Sequence, residues 1–127
     1  MITILAADHV ISNLALFKQH VNEAAEAASG GSLITFGVVP DRPETGYGYI
    51  KAKSTGIAEI ERFEEKPDFE TAKTYVDSGD YYWNSGMFVF EASAYLSALA
   101  TYAPEILAAC TAAYKNSTED LLSLIHI

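Results

Sequence analysis

The sequence predicts an α/β protein with a mixed, mainly parallel sheet flanked by helices. Three observations carry that expectation. Short β-prone apolar runs alternate with helical patterns, the opening reads in the order strand, helix, strand, and glycine or proline punctuates the junctions. At 127 residues the chain is the size of one domain and should bury roughly two-thirds of its unfolded surface.

The first strand is expected over residues 2–7. Ile2-Thr3-Ile4-Leu5-Ala6-Ala7 is apolar on both faces, as a buried parallel strand is, and it delivers Asp8 to the strand's carboxyl end. Phe17, Val21, Ala24, Ala25 and Ala28 then recur at helical spacing, with Ser12 or Asn13 as N-cap and Gly30-Gly31 as the stop. Residues 33–39 form the next strand, completing a βαβ unit that should cross over right-handed. A loop over 40–48 leads into two short strands at 49–53 and 57–63, turning near Ser54-Thr55-Gly56. Asp68 caps a helix running to about Asp77, whose apolar side is Ala72, Tyr75 and Val76, and Ser78-Gly79 closes it. Residues 81–90 are aromatic and β-prone, and Asn84-Ser85-Gly86 predicts a bend or bulge where a ligand approaches the backbone. Two helices follow, at 92–99 and 104–114, with Pro104 in the first turn of the second.

Composition narrows the function classes. A formal charge of -9 disfavours nucleic acid and anionic membrane as partners, because both reward basic patches. A phosphorylated small molecule remains compatible, since one or two local cations, backbone N–H groups and a divalent metal hold such ligands. No apolar run approaches the ~20 residues of a membrane span. The start carries no pattern of a basic stretch, apolar stretch and cleavage site, so a cytoplasmic setting is expected. The single cysteine, Cys110, lies in the apolar run Ile106-Leu107-Ala108-Ala109-Cys110 and is expected as a reduced core thiol.

Chemistry concentrates in short blocks. Thr45-Gly46-Tyr47-Gly48-Tyr49 sets two glycines among aromatics, and glycine admits a ligand oxygen close to the main chain; a plain turn ahead of a hairpin explains it too. Arg42 and Glu44 read equally as solvated loop charges. Glu65 and Lys66 put a carboxylate beside an ammonium at a strand end, suited to sugar hydroxyls and a phosphate respectively, or simply exposed at an edge. Asn84 can donate to and accept from a sugar hydroxyl, with Trp83 as a wall and Gly86 allowing close approach; satisfaction by loop backbone is its structural alternative. Asp8 fits a magnesium ligand at a strand's carboxyl end or a cap for the turn that follows. His9 has no nucleophile or orienting partner and reads as structural; His20 and His126 belong to no pattern, and no Cys/His spacing suits zinc.

In order, Ala7-Asp8-His9-Val10-Ile11, Arg42-Pro43-Glu44-Thr45-Gly46-Tyr47-Gly48-Tyr49-Ile50, Phe63-Glu64-Glu65-Lys66-Pro67-Asp68 and Tyr81-Tyr82-Trp83-Asn84-Ser85-Gly86-Met87-Phe88 resemble the sugar-1-phosphate nucleotidyltransferases. Within that family the likeness is greatest to the guanylyltransferases that use mannose-1-phosphate, and it covers residues 2 to about 115. The resemblance implies a Rossmann-like fold and a reaction in which a mannose-1-phosphate oxygen attacks the α-phosphorus of GTP, giving GDP-mannose and pyrophosphate. It implies Mg2+ as cofactor with Asp8 as its ligand, a main-chain sugar contact at Gly48, and sugar hydroxyls on Glu65. It also implies the sugar phosphate on Lys66 and a further sugar contact at Asn84. Asp8 and Lys66 would then be the catalytic residues, acting by positioning and charge neutralisation without a covalent intermediate.

The sequence departs from the family pattern in several places. The family's glycine-rich loop, with an Arg and a Lys ahead of the first strand, has no counterpart here, nor does the downstream Asp that completes the metal site or a C-terminal β-helical or isomerase module. Ala6 stands where many relatives have Pro. Leu122-Ser123-Leu124-Ile125-His126-Ile127 continues no family pattern and resembles read-through of a transposon-type sequencing adapter. The expectation is therefore an internal fragment, with a partial nucleotidyltransferase domain over 1–121, a non-native tail over 122–127, and little activity by itself. A noncatalytic sugar-phosphate-binding or regulatory relative is the alternative, as is an enzyme for another sugar-1-phosphate such as glucose-1-phosphate.

Overall fold

The computed structural model describes residues 1–52 and 56–117. Ser54 and Thr55 of the expected turn, His126 and the expected tail at 122–127 lie outside the described residues. The order is β1 (Ile2–Ile4), α1 (Leu14–Ala28), β2 (Ile34–Val38), β3 (Gly48–Ala52), β4 (Ile60–Glu65), α2 (Phe69–Ser78), β5 (Tyr81–Phe90), α3 (Ala92–Tyr102) and α4 (Pro104–Lys115). Two units are distinguished, Met1–Glu91 with the whole sheet and Ala92–Ile127 with α3 and α4.

Local chemistry explains the helix ends. The Leu16 N–H donates to the Asn13 side chain at 3.0 Å, which makes Asn13 the cap of α1, and Ala24 and Ala28 are its buried positions. The Thr71 N–H donates to Asp68 Oδ1 at 2.8 Å, and Gly79 ends α2 in the left-handed region at φ 74. Pro104 sits in the first turn of α4.

The expectation of a mainly parallel sheet is corrected, because every recorded pairing among the described residues is antiparallel. β5 is the central strand. Val89 pairs with both Thr3 of β1 and Ile34 of β2, so those strands occupy opposite edges of β5, and Trp83 pairs with both Val38 and Tyr49, which puts β3 on β1's edge. β4 then pairs outside β3. β1 and β2 therefore run in the same direction, as a βαβ unit requires, but β5 lies between them. An inserted strand from far along the chain leaves no mark on the local pattern that predicted a parallel neighbour.

β1 is also shorter and more exposed than expected. Ile2 and Ile4 are 42% and 46% exposed, so its apolar side chains are not core. The second hairpin strand begins at Ile60 rather than residue 57. Cys110 is exposed instead of buried, because no residue of α4 is buried and apolar composition alone does not cover a helix face.

The predicted bulge is present in β5. Thr35 pairs with Phe88 and Gly37 with Asn84, so two residues on β2 span four on β5, and Gly86 takes φ 72. This resets the side-chain alternation. Val89 packs with Ala24 and Ala28 of α1, while Trp83 packs with Tyr49, Ala72 and Tyr75 on the α2 side, although six residues of unbroken strand would keep Val89 and Trp83 on one face. Tyr82 and Ile50, which alternate with Trp83 and Tyr49, line one groove with Ala24 and Ala27, so α1 and α2 cover opposite faces.

Candidate functional site

Glu65 and Lys66 come together through a backbone turn. In an extended strand, consecutive side chains point to opposite faces. Lys66 adopts φ 49, in the left-handed region where a non-glycine residue costs about 1–2 kcal/mol. Its N–H donates to the Tyr47 carbonyl at 3.2 Å, and the side chains of Glu65 and Lys66 end 3.4 Å apart on the same side. They are 58% and 61% exposed, so this pair is open to a ligand rather than spent on holding the core.

Gly48 lies beneath the pair. It is paired with Glu65 across the hairpin and is buried. A Cβ there would meet Glu65 Oε2 at 2.9 Å and Phe63 Cζ at 3.0 Å. Glycine is thus required by the carboxylate's position, a structural reason that adds to the main-chain contact expected from sequence. Gly46 has no such crowding from across the sheet; its N–H donates to Glu44 Oε1 at 3.1 Å, within the loop.

Asn84 is half-buried in the β5 bulge. The Thr35 hydroxyl donates its one proton either to Asn84 Oδ1 at 2.8 Å or to the Met87 carbonyl at 3.0 Å. Anchoring the amide oxygen leaves the Asn84 NH2 without a protein partner among the described residues, so this end can donate to a ligand oxygen. Thr35 was not singled out from sequence, because a threonine inside a strand-like run has a sufficient reason to be there in its β propensity.

Asp8 follows β1 in a turn and is exposed. β1 leaves the edge of β5 at Ile4 opposite Phe88, and β3 joins the same edge at Tyr49 opposite Trp83. Since β1 runs antiparallel to β5, it ends pointing along β5 toward the strand positions of Gly48 and Asn84, and the chain then turns at Ala7 and Asp8. No contact links Asp8 to Glu65, Lys66 or Asn84 among the described residues. His9 is likewise exposed, and the structure gives it no packing role.

The aromatic wall is more elaborate than the sequence suggested. The Arg42 guanidinium sits 5.3 Å over the Trp83 ring, and Tyr47 meets the same ring edge-on at 5.2 Å. Arg42 also pairs with Asp41 at 2.9 Å and with Glu44 at 3.6 Å. The Trp83 indole N–H is buried without an acceptor among the described residues. The large groove lined by Ala24, Ala27, Phe36, Ile50 and Tyr82 contains none of Asp8, Gly48, Glu65, Lys66 or Asn84. The candidate chemistry therefore lies outside that groove, with Glu65 and Lys66 on an open surface.

A nucleotidyl transferase family model matches residues 1–124 of this chain. The chain belongs to that family. Among similar proteins, the xanthan biosynthesis protein XanB of Xanthomonas campestris is 51% identical over 94% of this chain and 26% of its own length. The mannose-1-phosphate guanylyltransferase ManC of Salmonella typhimurium is 49% identical over 95% of this chain and 27% of its own. The chain thus spans about a quarter of the length of these relatives. A crystal structure described as mannose-6-phosphate isomerase from Helicobacter pylori aligns with a TM-score of 0.88 at 36% identity, covering 95% of this chain and 46% of that one. A Thermus thermophilus structure described as mannose-1-phosphate geranyltransferase aligns at 0.76 with 31% identity, covering 87% and 34%.

Proposed function

We propose that this chain forms the sugar-phosphate side of a guanylyltransferase that joins mannose-1-phosphate to GTP. The observation that carries the reading is the turn at Lys66, which sets an exposed ammonium beside an exposed carboxylate over a glycine whose missing Cβ leaves the carboxylate its place. Lys66 Nζ holds the sugar phosphate as a point charge, Glu65 accepts hydrogen bonds from sugar hydroxyls, and the Asn84 NH2 donates to another oxygen of the sugar. These contacts orient the phosphate oxygen for in-line attack on the α-phosphorus of GTP, with pyrophosphate as leaving group. Names of relatives that include mannose-1-phosphate guanylyltransferase support the choice of substrates.

Magnesium fits this arrangement in part. The ion characteristically takes one or two carboxylates and completes its shell with water and substrate phosphates, so an exposed Asp8 in the turn after β1 suits it as one ligand. No group of three or more candidate ligands exists among the described residues, so Asp8 alone does not fix the ion. When bound, the metal supplies charge neutralisation at the transferring phosphoryl group. A cytoplasmic setting accords with soluble nucleotide and sugar-phosphate substrates, and among the described residues no helix is long and apolar enough to cross a membrane.

The solitary Asp8 favours one second reading, a noncatalytic sugar-phosphate-binding relative. Turnover separates the two. Purified chain is expected to bind mannose-1-phosphate by calorimetry and to form little or no GDP-mannose from GTP. Sustained turnover by a chain of the relatives' length would support the catalytic reading, and saturable binding without turnover in such a chain the noncatalytic one. Tight binding of glucose-1-phosphate with none of mannose-1-phosphate would contradict the sugar assignment.

A further inference from the structure

The loop that follows β2 is fastened at its middle by one hydroxyl. Tyr49 on β3 is fully buried, and its OH both accepts from the Glu44 N–H at 2.9 Å and donates to the Glu44 carbonyl at 3.0 Å. The phenol bridges both main-chain groups of one loop residue as a strand partner would, the Glu44 N–H being shared with the Arg42 carbonyl at 3.1 Å. On either side of Glu44, Arg42 and Tyr47 lie against Trp83. The Tyr47 carbonyl accepts the N–H of Lys66, the residue whose left-handed turn brings the ammonium beside Glu65. A continuous chain of contacts therefore runs from a core hydroxyl, through the loop, to the cation of the site.

We propose that the Tyr49 hydroxyl is a positioning group for the sugar-phosphate site, holding residues 42–47 closed over Trp83 and thereby fixing Tyr47, Gly48 and Lys66 in ligand-ready geometry. The inference rests on the functional reading above for its ligand, a sugar monophosphate. Without the hydroxyl, the Glu44 carbonyl loses its donor and the Glu44 N–H keeps only the Arg42 carbonyl within the loop at 3.1 Å, so the tie from loop to core is gone and the carbonyl regains a hydrogen bond most readily by moving into water. The loop then leaves Trp83, and Lys66 loses the acceptor that stabilises its left-handed backbone. Loss of preorganisation appears as weaker binding, because the ligand must now order the loop itself.

Trp83 is the chain's only tryptophan, so its emission reports on the ring that the loop covers, and the folding controls separate loop opening from loss of its packing on Tyr49, Ala72 and Tyr75. The test compares the whole chain with Tyr49→Phe and with Tyr82→Phe, a hydroxyl deletion on the face lining the groove. Acrylamide quenching of Trp83 and calorimetric affinity for mannose-1-phosphate are measured for each, with circular dichroism and Tm as controls for folding. Tyr49→Phe is expected to increase quenching severalfold and to raise the dissociation constant about tenfold, the equivalent of one hydrogen bond, while Tyr82→Phe matches wild type. Unchanged quenching in Tyr49→Phe overturns the inference, because the loop is then held without the hydroxyl. Increased quenching with unchanged affinity also overturns it and leaves the functional reading standing. Should wild type bind no mannose-1-phosphate, the functional reading falls and takes the positioning role with it. If Tyr49→Phe does not fold, amide hydrogen exchange of the wild type is the second measurement: protection of the Glu44 N–H that is lost together with that of Lys66 supports the inference, and a Glu44 N–H that exchanges as freely as an exposed loop amide overturns it.

Discussion

The difference between Gly48 and Gly37 shows how one missing methyl group serves opposite purposes. At Gly48 a Cβ meets the far end of the Glu65 side chain and the edge of Phe63, both able to move. Gly48→Ala is therefore expected to fold nearly as well as wild type but to displace the carboxylate, weakening mannose-1-phosphate binding about tenfold, which calorimetry would register. At Gly37 the obstacle is Tyr82 Cβ at 2.8 Å, which cannot yield without moving β5. Gly37→Ala should cost about 1–3 kcal/mol in denaturant unfolding. From sequence, Gly48 stood out through its neighbours Thr45, Gly46 and Tyr47. Gly37 did not, since its crowding comes from a residue 45 positions away that only the sheet brings near.

Elements differ in legibility for the same reason. α2 was readable almost to the residue, because Asp68, the apolar positions and Gly79 are all local signals, and α1 likewise through Asn13. The bulge in β5 was readable because Asn84-Ser85-Gly86 interrupts an aromatic run. The partners of β5 were not, because antiparallel insertion between β1 and β2 depends on pairings that span most of the chain. Legible ends also make testable ones. The hydrogen bonds from Thr71 hold the Asp68 carboxyl below the ordinary carboxylate range. A folded-state value lowered in this way stabilises α2 above the unfolded carboxylate's pKa and ceases to do so as pH falls through the folded value. Asp68→Ala should therefore lower Tm at neutral pH by a few degrees and melt with a shallower decline on acidification than wild type. Gly86→Ala, at φ 72, should cost about 1–2 kcal/mol and blunt sugar-phosphate binding through Asn84.

At the scale of the molecule, an exposed β1 and an acidic surface pull in different directions. Ile2 and Ile4 of β1 and Leu5 just beyond it lie 42%, 46% and 52% exposed where the sequence had read core, and a net charge of -9 opposes contact between copies. Self-association is expected to be slight at low ionic strength and to increase with salt, as screening removes the repulsion; light scattering across a salt series checks this. The sequence offers five candidate residues in order, Asp8, Gly48, Glu65, Lys66 and Asn84. What was not legible is the backbone device that brings Glu65 and Lys66 together, the left-handed Lys66 tied to Tyr47, because no sequence rule marks a lysine for positive φ. The central claim is that this device builds a sugar-phosphate site. Its most direct test is calorimetric titration of the purified chain with mannose-1-phosphate, alongside Lys66→Gln and Glu65→Gln. Saturable wild-type binding weakened at least about tenfold in each variant is the predicted result; no saturable binding, or binding that both variants retain in full, would contradict the account.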